Sequence, residues 1–488
     1  MLRTTTRSLC FAVCCAALAQ SDAARRLVSR AEGSAAMMDD LRELCDTVGG
    51  RPTGSPACDR AVAWAAKKFR DAGIEKVSIE PFTVAHGWLP GTIEVTAISP
   101  EKFPIRAAAA PMSLSTKGPL DLRVVDVGDG TPESFAKAGA ALKGAAALVH
   151  SNEMKTLDDL FGEYFRNPGL NEAVTKFGVA ALLLESSRPR GLLYRHPIGL
   201  GVNYAPVPTA VIAREPAERL ARLSQVGEAR VHFAMTNKTG APMQSKNVIA
   251  EITGSEKPEE IVLLGAHLDS WELGTGANDN GVNAAMVIDT ARAFRELGLK
   301  PRRTVRFALF TGEEQGMLGS EAYVERHKAE MDNHVAVTMF DIGSGHTTGF
   351  YLNGREEMKK AVNTALDAAG GLNATDQVMD AIDGTDNFDF LLQGVPNLVA
   401  VQDAAPYLPD YHAESDTFDK VDAKEARRND AIAAVLIWGL AEAPERPANR
   451  QSRAEVEKLV KDTKLDEQMK VFEQWDDFVA GKRGIAKR

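Results

Sequence analysis

At 488 residues the chain exceeds one ordinary domain, and two folded units with appendages are expected. Its composition, 44% hydrophobic and 25% charged, is that of a soluble globular protein with material for a core. The net charge of −10 is spread rather than blocked, which argues against a nucleic-acid-binding surface and favours solubility.

The first 19 residues have the layout of a secretory signal peptide. Arg3 and Arg7 make a basic start, Leu9 to Leu18 is a short apolar run, and Ala17-Leu18-Ala19 offers a small-x-small cleavage site. The run is too short to span a bilayer, and no later stretch approaches the roughly 20 apolar residues of a membrane helix. An exported protein, secreted or periplasmic, cleaved near Ala19, is expected. Cys10, Cys14 and Cys15 fall within this leader, which leaves Cys45 and Cys58 in the mature chain. In an oxidising compartment these two can pair or remain separate buried thiols, and spacing leaves both open.

From 29 to 112 the chain opens helix-rich, as the N-terminal part of the catalytic unit. Ala61, Val62, Trp64, Ala65 and Phe69 recur at helical spacing until Gly73, and Val77, Ile79, Phe82 and Val84 read as a strand whose phase slips at Pro81. Residues 113 to 242 turn strand-rich, with apolar runs at Leu122 to Val127, Ala145 to Val149 and Val179 to Leu184. They read as an inserted small domain that supports or covers a site built elsewhere. From 243 to 443 short strands alternate with helices. The strands are Val248 to Ile252, Ile261 to Leu264, Val305 to Phe310, Val335 to Phe340 and Leu398 to Val401; the helices are Ala284 to Phe294, Leu318 to His327, Met358 to Ala369 and Ala431 to Ala441. This alternation predicts an α/β fold, a mixed and mostly parallel sheet with helices on both faces. After Pro444 the tail, residues 444 to 488, is heavily charged and reads as a surface helix or partly disordered extension, with Val456, Leu459 and Val460 as weak anchors.

Acidic and imidazole side chains fall where this pattern places strand ends. His267 and Asp269 follow the Ile261 strand, and Asp279 stands at the mouth of a helix. Glu313 and Glu314 follow the Val305 strand, Asp341 the Val335 strand, and His412 comes a loop after the Leu398 strand. In an open α/β sheet ligands bind beyond the carboxyl ends of the strands. Imidazole and carboxylate are the donors that hold catalytic zinc, and two close cations require a bridging carboxylate, for which Asp279 is the candidate. Water bound there becomes a nucleophile near neutral pH. Glu313 is the candidate general base and Glu314 the candidate ligand, since neighbouring loop residues point in different directions. Asp269, two residues past His267, suits a role orienting the imidazole. Singly these signals are weak: a lone histidine after a strand is more often a hydrogen-bonded structural residue, and Asp279-Asn280-Gly281 alone is a turn. Jointly, in this order, they point to a metal pair. The other seven histidines read as structural or surface residues, and of these His346, which extends the Asp341 loop, is the best placed to approach substrate.

These motifs, Gly265-Ala266-His267-Leu268-Asp269-Ser270-Trp271, Gly276-Ala277-Asn278-Asp279, Thr311-Gly312-Glu313-Glu314-Gln315-Gly316, Phe340-Asp341 and Tyr411-His412 to Asp416-Thr417, resemble the M28 family of zinc peptidases. Arg51-Pro52-Thr53-Gly54-Ser55, the segment Lys300 to Arg306, Gly384-Thr385-Asp386 and Gly394-Val395-Pro396 are similar to one branch of it. The resemblance, over nearly all of residues 40 to 440, implies a zinc exopeptidase fold with an inserted protease-associated domain. It implies two zinc ions per subunit, one on His267 and Asp341, the other on Glu314 and His412, with Asp279 between them. It also implies Glu313 as base, Asp269 as the histidine-orienting aspartate, a homodimer, and hydrolysis of dipeptides or short peptides with free termini. Asp386 sits in a family-like loop, where it either orients His412 or faces substrate. Asn280 stands where many relatives have a second aspartate. The alternatives are an aminopeptidase acting on longer peptides, a non-catalytic receptor-like ectodomain and a glutaminyl cyclase.

Overall fold

The computed structural model describes residues 20–199 and 203–486; the leader expected at 1–19 lies outside the described residues. Two eight-stranded sheets organise the chain. At the centre of the first, Arg303–Phe310, Lys257–His267, His334–Met339 and Asn397–Gln402 run parallel, side by side in that order. Antiparallel strands flank them: Met243–Ile252 and then Lys76–Val84 on one side, Thr347–Tyr351 on the other, with Asp376–Val378 beyond it. The sheet is therefore mixed with a parallel centre.

Alternate residues of the central strands enter different cores, because successive side chains point to opposite faces. Val262, Leu264, Val305 and Phe307 pack with the helices Val282–Glu296 and Ala423–Glu442 on one face. Leu263, Ala308, Phe310 and Val337 pack with Tyr323 and Phe390 on the other. Burial on both faces explains the near-continuous apolar runs of these strands. The register sets His267 opposite Phe310, Gly265 opposite Met339 and Met339 opposite Val399, so the chain leaves these strands at one common edge.

The second sheet falls, in chain order, wholly between Lys76–Val84 and Met243–Ile252 of the first. It begins earlier than the expected residue 113, because Leu89–Ser99 pairs along Arg230–Lys238 and Ala107–Ala109 pairs with Thr209–Ile212. It also carries helices that the strand-rich reading did not contain, among them Leu157–Phe165, Asn167–Lys176 and Arg214–Val226.

The tail after Pro444 is neither a surface helix nor a loose extension. Its helices Arg453–Asp462, Leu465–Val471 and Trp475–Ala480 bury Val456, Val460, Leu465, Met469 and Phe478 against Met317, Phe388 and Leu392. Arg483 adds a forked pair to buried Asp389, at 2.8 and 3.0 Å. Apolar residues at i, i+3 and i+4 supplied the docking face despite the charged composition. Cys45 and Cys58 are both free and buried. Among the described residues no helix is long and apolar enough to cross a membrane.

Candidate metal centre

The common edge of the central strands gathers the predicted donors. His267 Nε2 lies 3.0 Å from Asp341 Oδ1 and 3.2 Å from Asp279 Oδ1. His412 Nε2 lies 2.9 Å from Glu314 Oε2 and 3.3 Å from Asp279 Oδ2. Asp279 thus turns one oxygen to each histidine, between two half-sites. Glu313 stands beside them, its Oε2 3.9 Å from His267 Nε2. Two triads, His267 with Glu313 and Asp341, and His267 with Asp279 and Glu314, each bring one donor atom per residue within 4.8 Å of the others.

The supporting contacts come from distant parts of the chain. Fully buried Arg51 donates to the carbonyls of Leu268, Thr275 (2.8 Å), Gly276 (2.9 Å) and Gly49 (3.3 Å), tying the His267 turn to the Asp279 loop. Gly276 is required at that crossing: its φ is +60°, and a Cβ there would lie 2.3 Å from Ser270 and 2.9 Å from Arg51 Nη1. Asp416 accepts from the backbone N–H groups of Asn278 (2.7 Å) and Asp279 (3.1 Å). The Nδ1–H of His267 donates to the backbone carbonyl of Asp269 at 3.0 Å, while the Asp269 carboxylate lies 3.6 Å away and accepts from the Thr53 hydroxyl. His412 is held by the inserted unit: its Nδ1–H donates to the Arg195 carbonyl at 3.0 Å, and Arg195 N–H returns a bond to the His412 carbonyl at 2.9 Å. Such partners fix tautomer and ring orientation. Asn280 donates from its amide to Asp341 Oδ1 at 2.9 Å, a bond that an aspartate there does not supply when ionised.

Sequence reasoning missed Arg195, Arg51 and Asp416 as parts of this site, although the last two lie within quoted motifs. Arg195 acts through a carbonyl, which leaves no side-chain signature. Two expected residues stand apart from the cleft lining. Asp386 is buried before the short helix Asn387–Leu392, and neither of its carboxylate oxygens has a hydrogen-bond partner. It does not contact His412, whose Nδ1 is committed to Arg195. His346 lies instead 3.2 Å from Glu425.

Burial pushes the carboxyl groups of Glu313 and Glu314 well above their ordinary range, and neighbouring carboxylates, Asp341 for the first and Asp279 for the second, push further. Burial alone pulls His267 down, but Asp341, Asp269 and Asp279 overcome it and hold the imidazole well above its usual value. Burial takes His412 down to about 4, the neutral form that binds metal. Both oxygens of Glu314 and Oδ2 of Asp279 are buried without a hydrogen-bond donor. Crowded, orphaned carboxylates are costly unless a cation accompanies them. Paired imidazole and carboxylate donors of this kind fit zinc.

The cluster opens into a cleft whose lining includes Asp279, Glu313, Glu314, Asp341, Asp383 and His412. Among the described residues no lysine or arginine lines it. Tyr411 stacks on His412 with ring centroids 3.6 Å apart, and its hydroxyl lies 2.9 Å from that of Tyr164 in the inserted unit.

Residues 247–437 match the sequence profile of Peptidase family M28. The branch that the motifs resemble is that of carboxypeptidase Q. The Bos taurus protein of that name is 31% identical over 414 residues, covering 83% of this chain and 85% of its own, and the Homo sapiens protein is 30% identical with the same coverage. A solved peptidase M28 precursor from Shewanella amazonensis has a TM-score of 0.79 at 27% identity, covering 89% of this chain and 99% of its own. A zinc aminopeptidase from Bacillus subtilis shares the fold, with a TM-score of 0.66 at 19% identity over 86% of this chain and 98% of its own. With this likeness along most of its length, the chain belongs to peptidase family M28 and is a metallo-exopeptidase.

Proposed function

We propose that the chain is an exported, dizinc exopeptidase that hydrolyses dipeptides or short peptides with free termini. The observation that carries this reading is the pair of half-sites sharing Asp279, His267 with Asp341 on one side and His412 with Glu314 on the other. These five residues would hold two zinc ions, which lower the pKa of water and polarise a carbonyl. Glu313, on the cleft wall, accepts the proton of the attacking water and returns it to the departing amine. Asp269 and the Arg195 carbonyl hold the two imidazoles in the donor orientation. By the same resemblance we assign the inserted unit as a protease-associated domain, residues 1–19 as its export leader, and a homodimer as the working form.

One feature favours a second reading, an aminopeptidase that trims longer peptides. Among the described residues the cleft lining offers carboxylates for a substrate's α-ammonium group but no lysine or arginine for its carboxylate. Zinc-loaded protein should be assayed on a free dipeptide, the same dipeptide blocked at either end, and an aminoacyl anilide. Cleavage confined to the free dipeptide supports the dipeptidase. Cleavage of the anilide and of the carboxyl-blocked dipeptide selects the aminopeptidase, and cleavage of none rejects both.

A further inference from the structure

The cleft has apolar walls from three separate parts of the chain. Ile342, Tyr351 and Val399 come from the catalytic unit, Leu160 and Tyr164 from the inserted unit, and Phe472 from the C-terminal tail. Phe472 is only 5% exposed although it lies in the turn after the helix Leu465–Val471. Its ring meets Tyr164 edge-on, centroids 5.8 Å apart at 85°. The next residue, Glu473, accepts from Asn203 Nδ2 of the inserted unit at 2.8 Å. The tail is thus anchored on the catalytic unit by its buried apolar face and by Arg483, and reaches across the cleft to the inserted unit at Phe472 and Glu473.

The polar lining residues are the donor cluster with Asp383 and Thr385, whereas Phe472 packs on Tyr164, and Leu157, Leu160 and Phe161 of the inserted unit also line the cleft. Such a wall rewards apolar side chains and leaves a small one under-filled. We propose that the C-terminal tail is part of the substrate site, with Phe472 as the outer wall of an apolar subsite that selects peptides bearing a large apolar side chain beside the scissile bond. This rests on the peptidase reading and names the substrate class for it.

The test compares kcat/KM for the free dipeptides Leu-Leu and Ala-Ala in zinc-loaded full-length protein and in Phe472→Ala. Each lost apolar contact in such a pocket is worth about tenfold or more in discrimination. Leu-Leu should therefore lose roughly tenfold and Ala-Ala less than about twofold, at unchanged zinc content. Equal losses on both substrates mark a structural residue and overturn the proposal, as does an unchanged ratio. Should the alanine variant not fold, Phe472→Leu serves: a lowered Leu-Leu to Ala-Ala ratio supports the subsite and an unchanged ratio overturns it. If the zinc-loaded wild type cleaves neither dipeptide, the dipeptidase reading fails first, and the two failures are distinct.

Discussion

Replacing Arg51 by methionine removes the donor group shared by both metal-side loops. Its guanidinium is fully buried and serves four backbone carbonyls, of which Leu268 lies between His267 and Asp269, and Thr275 and Gly276 lead into Asp279. A buried acceptor left without a donor costs about 1–3 kcal/mol. The Gly276 carbonyl keeps a second donor, the Gly281 N–H at 3.0 Å, so three carbonyls lose their donor, and at the low end for each they sum to about 3 kcal/mol. Burial also holds the Arg51 pKa below its ordinary value, so removing its charge returns part of this cost and leaves about 2–3 kcal/mol. For a unit of about 300 residues, at about 2.1 cal/mol/K of unfolding entropy per residue, that is a fall of roughly 3–5 °C in the unfolding midpoint. Loss of a group that positions ligands also weakens metal affinity by about 10–100-fold. Thermal unfolding with excess zinc and with chelator, together with a zinc titration, reads both effects. A variant that melts within about 2 °C of wild type and binds zinc equally well would refute the assignment of Arg51 as the tie between the loops.

Glu313→Gln should keep its zinc and fold yet lose turnover by about 10³–10⁴-fold, at the upper end for a general base, and near-normal kcat removes Glu313 from the mechanism. Met469→Ala empties a fully buried position beneath the tail and should loosen it by about 2–5 kcal/mol, seen as faster proteolysis after residue 444; unchanged protection contradicts a docked tail. His150 is raised to about 10 by Asp126 and then Glu185, above the 6.5 of a free imidazole. Its stabilisation is therefore complete below pH 6.5 and lost as pH rises through about 10. His150→Gln should be less stable than wild type by about 1 kcal/mol at pH 6, solvent screening discounted, with the gap closing by pH 10; a gap of equal size at both pH values rules the ion pair out.

The central strands and their chemistry were legible because burial on both faces writes a strand as an unbroken apolar run, and the polar residue after each run marks the edge. His267, Glu313 and Asp341 are found in this way. Asp279 was legible through the glycines around it, of which Gly276 meets a real steric demand. The start of the second sheet was not, because Leu89–Ser99 has Pro90 and Gly91 near its beginning and finds its partner, Arg230–Lys238, far along the chain. Arg195 reaches His412 across 217 residues through a main-chain oxygen, a relation with no local pattern. The tail escaped for another reason. Its helices of 10, 7 and 6 residues are too short for a period to stand out, so composition outweighed the apolar positions that dock it.

Metal analysis of the purified chain, with and without Asp279→Ala, decides whether one aspartate joins two cations. Wild-type protein dialysed against zinc-free buffer should retain about two zinc ions per chain, and the alanine variant fewer than one. A wild type that holds a single ion, or an Asp279→Ala protein that keeps both, would contradict the shared centre.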